Sequence, residues 1–180
     1  MDNQKSFDYK DRKYNVMPYD PAWQTRFTAE AETIRNIFGD DIRIEHIGST
    51  SVPGMEGKPC IDVLVIPKDL EIVKAHIADM ENAGYIYRGA FVRDDTLLFA
   101  RMEDSSLKAN VHFFPEGHSH ILQMLMIRDY LRSHPDEVVG YSNLKKRLYE
   151  QHPNDYAKYR KEKDAYMAEL IERAKIASQV

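Results

Sequence analysis

Apolar residues recur at helical spacing over residues 21–38, where Trp23, Phe27, Ile34 and Phe38 fall near a repeat of 3.6. Asp20-Pro21 supplies a cap with a first-turn proline, and Gly39 a stop. The pattern then shortens to short β-prone runs. Residues 42–47 and 60–66 read as strands, the first ending at Gly48 and the second containing Val63-Leu64-Val65-Ile66. Residues 69–82 return to helical spacing, with Leu70, Val73, Ile77 and Met80 on one side and Gly84 beyond. Three further strands follow at 85–88, 96–102 and 108–114, the last two joined as a hairpin across Glu103-Asp104-Ser105-Ser106. From Ser119 the chain reads as helices over 119–133, 135–150 and 153–177, with Pro135 and Pro153 each following a histidine where a helix begins. This order predicts an α/β (α+β) fold: a small mixed sheet backed by helices, with the C-terminal helices in the same domain. Residues 1–15 are polar and charged and read as a flexible segment, leaving 16–180 as a single domain.

The chemistry concentrates between residues 45 and 67, EHIGSTSVPGMEGKPCIDVLVIP. Gly48 permits a tight turn, and Ser49, Thr50 and Ser51 place hydroxyls beside backbone N–H groups, an arrangement that suits an anion. The same three residues also serve as an ordinary helix cap, so phosphate binding and capping both remain open. Lys58 lies in the following loop, and Asp62 opens the apolar strand.

These residues resemble the nucleotidyltransferase superfamily, with its Gly-Ser turn followed by acids on the next strand. Within it the chain is similar to the GrpB family, an uncharacterised protein family. The resemblance rests on EHIGSTSVPG, KPCIDVLV, Asn110-Val111-His112-Phe113, Phe91 with Arg93, Arg128-Asp129-Tyr130-Leu131, Tyr141 with Leu144-Lys145, and Tyr159 with Lys163. It runs from Val16 to Lys175. It implies a phosphate site at Gly48, Ser49, Thr50, Ser51 and Lys58, completed by Arg128 and Lys145 from the C-terminal helices. It implies a metal-assisted centre on Asp62 as well. In active superfamily members the residue two beyond the first acid is also an acid, and the pair holds two magnesium ions; here that residue is Leu64. A third acid is expected on a later strand, where this chain has His112. Asp62, His112 and His46 are therefore the candidate ligands of a divalent metal (Mg, Mn or Zn), and Asp62 with His112 the candidate catalytic pair. The alternative is a hydrogen-bonded Asp–His pair with no metal. Two functions follow: metal-assisted transfer of a nucleotidyl group, or a non-catalytic module that binds a nucleotide or another phosphorylated metabolite. Members fused to dephospho-coenzyme A kinase link the second, by analogy, to coenzyme A metabolism.

Bulk properties narrow the partners. A formal charge of −4 across 180 residues argues against general nucleic-acid binding. The single Cys60 forms no intrachain disulfide and reads as an inert apolar residue in a reducing, cytoplasmic setting. No run approaches the length of a membrane span, so the expected partner is a nucleotide or phosphorylated small molecule, with neither membrane nor nucleic acid.

Overall fold

The computed structural model describes residues 14–91 and 93–178. Most of the segment expected to be flexible, residues 1–13, lies outside the described residues. Its penultimate residue, Tyr14, packs its ring 4.8–5.2 Å from those of Tyr149, Tyr156 and Tyr159. Met17 then exchanges two backbone hydrogen bonds of 3.0 Å with Gly57.

The chain runs α1 (Ala22–Phe38), β1 (Arg43–Ile47), a single 3-10 turn (Ser49–Ser51), β2 (Ile61–Ile66), α2 (Leu70–Ala75), α3 (Ile77–Asn82), β3 (Tyr85–Gly89), β4 (Leu97–Glu103), β5 (Ser106–Phe113), α4 (Ser119–Ser133), α5 (Pro135–Gln151) and α6 (Tyr156–Ala177). Two helices depart from the periodicity. The helix expected over 69–82 is two helices, capped by Asp69 on the Ile72 N–H and interrupted at His76 (φ −108°, ψ 17°). His76 Nδ1 sits 2.9 Å from the Ile72 carbonyl, the acceptor its own N–H would use in a continuous helix, and that N–H bonds the Val73 carbonyl instead. The last helix starts at Tyr156 rather than at Pro153, because the Asp155 carboxylate accepts the Lys158 N–H at 2.9 Å and sets the cap there.

The five strands form one mixed sheet in the order β1-β2-β5-β4-β3, with β2–β5 its parallel pair. Asp104 (φ 47°) and Ser105 (φ 61°) turn the β4–β5 hairpin through two left-handed residues, the geometry that matches strand twist. Alternation assigns the faces. Val63, Val65, Val111, Phe113 and Phe99 point to one side and pack with Trp23, Ile34, Val73 and Met80 of α1–α3. Leu64 and Ile47 point to the other and meet Ile121 and Leu125 of α4. Val52 and Met55, from the loop after the 3-10 turn, pack with Leu131, Val138, Tyr141 and Leu170 of α4–α6. The sheet is thus sandwiched, with the loop before β2 enclosed on its second side.

Phe99 is fully buried at the centre of the larger core. Phe99→Ala is expected to cost about 3–5 kcal/mol. Denaturant unfolding followed by the emission of Trp23, fully buried in the same cluster, measures it.

Candidate functional site

The parallel pairing of β2 with β5 sets Asp62 beside Asn110 and Leu64 beside His112. All four side chains share the sheet face that looks towards α4–α6. Asn110 Nδ2 donates to Asp62 Oδ1 at 3.0 Å, and His112 Nε2 lies 3.4 Å from the same oxygen. Burial alone would raise the Asp62 pKa, but His112, Asn110 and the Lys58 charge outweigh it and hold the carboxyl below its usual range. Asp62 Oδ2 has no protein donor among the described residues. It lies against Gly48, where an added Cβ would stand only 2.6 Å away. Gly48 itself has φ 72°. The turn glycine is therefore required twice, by its backbone angle and by the acid beneath it.

The 3-10 turn divides its hydroxyls. Ser51 Oγ donates to the Gly48 carbonyl at 2.7 Å, and Thr50 Oγ1 lies 3.0 Å from His46 Nε2; both residues are buried. Their hydroxyls hold the turn, and neither residue is in the cleft lining, so of the three expected hydroxyls only that of Ser49 reaches it. Ser49 does line it, and its Oγ accepts a 3.0 Å hydrogen bond from Lys145 Nζ. Lys145 also donates to the Glu56 carbonyl and lies 4.5 Å from the Tyr141 ring centroid. Only 2% of this lysine is exposed, and no carboxylate forms a salt bridge with it among the described residues. Burial pushes its pKa down to about 7; Lys163 adds repulsion, Glu56 opposes it in part, and Lys58 adds a lesser repulsion.

A cleft of about 340 Å³ opens above these groups, between the β2–β5 junction and α4–α6. Lys58, Arg160 and Lys163 line it with Lys145 and Ser49. Lys163 is steadied by Asp164 at 3.4 Å. Tyr141 and Tyr159 also line the cleft, 5% and 1% exposed, and neither hydroxyl has a hydrogen-bond partner among the described residues. Burial pushes both phenols up, keeping them protonated donors. A second compartment of about 320 Å³ continues past Asp62 to Cys60, Leu98 and Asn110, with the same Lys58, Arg160 and Lys163 on its border.

The expected site residues therefore separate. Gly48, Ser49, Lys58, Asp62, His112, Arg128 and Lys145 converge on one cleft. His46 does not: paired with Val63 in the sheet, it faces α1, stacked 4.5 Å over Phe27. Burial drives its pKa down to about 4, and Asp62 opposes that only in part. Arg128 reaches the cleft but is committed elsewhere, donating to Glu45 at 2.6 Å, to Asp129 at 2.7 and 3.2 Å, and to the His46 carbonyl at 3.3 Å. It ties α4 to β1. Arg93 pairs with Asp95, and Arg101 with Glu30. Asn110 belongs to the quoted strand motif but has no role assigned by the sequence, and Tyr156 and Arg160 join the cleft from α6. The period-two face that held His112 also held Asn110, whereas nothing local in the sequence marks Tyr156 or Arg160.

The acid pair of the two-metal centre is not restored from elsewhere. Leu64 is fully buried among Ile47, Phe114, Ile121 and Leu125, beneath α4. Among the described residues no three His, Cys, Asp or Glu side chains gather as a metal cluster, and one oxygen of Asp62 is occupied by the Asn110 amide. This donor set does not fit two magnesium ions.

The GrpB protein family matches residues 13–173. A UPF0157 protein of Pseudomonas aeruginosa is 32% identical over 98% of this chain and 74% of its own length. YqkA, a UPF0157 protein of Bacillus subtilis, is 34% identical over 93% of this chain and 49% of its own length, so the chain spans about half of that relative. The crystal structure of the conserved protein GrpB from Enterococcus faecalis superimposes with a TM-score of 0.86 at 33% identity, covering 92% of this chain and 100% of that one. A cytoplasmic RNA terminal U-transferase superimposes with a TM-score of 0.53 at 13% identity, over 74% of this chain and 43% of that chain. That similarity is one of fold: the architecture is nucleotidyltransferase-like.

Two outcomes follow for stability. Gly39 has φ 87° and ψ 179° but open space around it, so Gly39→Ala carries only the backbone cost of about 1–3 kcal/mol; Gly48→Ala is expected to cost more, because it also displaces Asp62. Equal losses in urea denaturation would contradict the close approach. Leu64→Asp places a charge in a packed apolar cluster and is expected to cost at least about 3 kcal/mol. Addition of Mg²⁺ or Mn²⁺ should not recover it; recovery would show that a second ligand can be accommodated there.

Proposed function

The chain belongs to the GrpB family, and on that premise we propose that its cleft binds the phosphoryl group of a nucleotide or another phosphorylated small molecule. The carrying observation is Lys145, a buried ammonium with two neutral acceptors, Ser49 and the Glu56 carbonyl, and no carboxylate partner among the described residues. A buried cation without a counter-charge costs free energy, and an arriving anion supplies the missing charge. Ser49 accepts from Lys145 and keeps its own O–H to donate to a phosphoryl oxygen. The Tyr141 and Tyr159 hydroxyls supply two further donors, and Lys58 and Lys163 add positive charge around them. The role that metal ions take in the two-metal centre, neutralising phosphate, falls in this reading to the chain's own cations.

A second reading has one observation in its favour. Asp62 Oδ2 borders the cleft without a protein donor among the described residues, and His112 stands beside Oδ1. Asp62 and His112 would be the residues to hold a single divalent ion there, and it would supply Lewis-acid neutralisation of phosphoryl charge.

Titration of Lys145 separates anion binding from nonspecific stabilisation. Its folded pKa, about 7, lies below the usual 10.5. The destabilisation it brings to the ligand-free protein is therefore full below pH 7 and is relieved as pH rises from 7 towards 10.5. Anion affinity moves the opposite way, because the ammonium is lost above pH 7. Thermal shift with sulfate, whose charge is constant over this range, should show binding at pH 6 that weakens by up to tenfold per unit above pH 7. Lys145→Met should abolish that response while leaving the ligand-free protein at least as stable at pH 6. Pyrophosphate and ATP should stabilise without added metal. A strict requirement for Mn²⁺ or Mg²⁺ favours the single-ion reading; no stabilisation by any of these anions overturns phosphoryl binding.

A further inference from the structure

The cleft is asymmetric. Lys58, Arg160 and Lys163 border both compartments, so the positive charge sits at the middle. On the α4–α6 side the cleft is walled by Val52, Met124, Ile127, Leu131 and Met167. None of these side chains carries an N–H or O–H donor. Arg128, which borders that wall from α4, already divides its guanidinium between Glu45, Asp129 and a backbone carbonyl. Met124, Ile127 and Met167 are only partly buried, at the edge of the two apolar clusters over the sheet. Water in this end of the cleft has few partners, and apolar surface brought there is removed from water at a gain. Methionines adapt their shape to what they contact, and they line the wall on α4 and on α6.

We propose that the ligand is a phosphate monoester whose organic group is apolar, with its phosphoryl group at Lys145 and Ser49 and its substituent against the α4–α6 wall. This rests on the phosphoryl-binding reading above and narrows it. A nucleobase is distinguished by hydrogen bonds along its edge, and beyond the Tyr141 and Tyr159 hydroxyls, which the phosphoryl reading uses, the apolar side chains of the wall offer none. A saturated or isoprenoid-like chain asks only for the apolar surface that is present. Affinity then grows with the carbon count of the ester, at about threefold to fourfold per methylene placed against the wall.

The test is calorimetric titration at pH 6 with inorganic phosphate, propyl phosphate, hexyl phosphate and AMP, the three esters each carrying one phosphoryl group of like charge. The expected order is hexyl tighter than propyl, propyl tighter than phosphate, and hexyl at least tenfold tighter than AMP. Ile127→Asn and Met167→Gln, each read against its own affinity for inorganic phosphate, should shrink the gain from propyl to hexyl. Two variants on different helices guard against one that does not fold. Phosphate binding with no gain along the alkyl series, or AMP tighter than hexyl phosphate, overturns this inference and leaves the phosphoryl site standing. Failure of inorganic phosphate and of all three esters overturns both.

Discussion

The site depends on one desolvated ammonium. Lys145 reaches from α5 to the Ser49 hydroxyl and to the Glu56 carbonyl, joining the C-terminal helices to both ends of the loop before β2. Around that link, Ser142 Oγ accepts the Glu56 N–H, Arg132 donates twice to the Ser51 carbonyl, and Lys146 pairs with the Glu56 carboxylate. The loop thus has few degrees of freedom left. A lysine in this position is a poor means of stabilising a fold, since two neutral acceptors compensate only part of the hydration it gives up. Val52 and Met55 already anchor the loop apolarly in the α4–α6 cluster. The retained charge makes physical sense as a binding group.

The second constraint is the crossover that makes β2 and β5 parallel. Parallel neighbours require a long connection, here α2, α3 and the β3–β4–β5 meander. Its register puts Asp62 level with Asn110, so the acid is steadied by an amide from a strand nearly fifty residues away. The antiparallel register of β1 puts Ile47 level with Asp62, which brings Gly48 over the carboxylate. The glycine turn and the acid are two features of sequence but a single feature of space.

Much of this was legible in the chain. Period-two and period-3.6 patterns located every strand and most helices, and the Gly-Ser turn with Asp62 marked the cleft. What escaped the sequence has physical causes. His46 was assigned to the metal set by residue type, yet its odd position along β1 relative to Ile47 turns it to the α1 face. Thr50 and Ser51 belong to the same polar run as Ser49, and a turn of three residues points each in a different direction; their hydroxyls satisfy His46 and Gly48. Arg128 has the composition of a phosphate ligand, but Glu45 and Asp129 reach it first. The break at His76 arises where an imidazole meets the carbonyl one turn back, a competition that periodicity does not register. Convergence of Tyr141, Lys145, Tyr159 and Lys163 needed the packing of α5 on α6, although their spacing of four did place each pair on one helical face.

The fold shared with a terminal transferase leaves the chemistry open, and the packing around Leu64 bears on it. A lost acid in an otherwise intact centre would leave a polar hollow, ready to be refilled by water or by another ligand. Here α4 has closed over the position, with Ile121 and Leu125 packed on Leu64 and Arg128 fastened to Glu45 two residues before Ile47. Leu64 is thus held by a whole layer of packing rather than by one neighbour. The same helix that covers Leu64 presents Met124 and Ile127 to the cleft. One piece of packing thus both fills the position of Leu64 with apolar contacts and sets apolar surface beside the cleft, and under the reading proposed above that surface adjoins the anion held at Lys145.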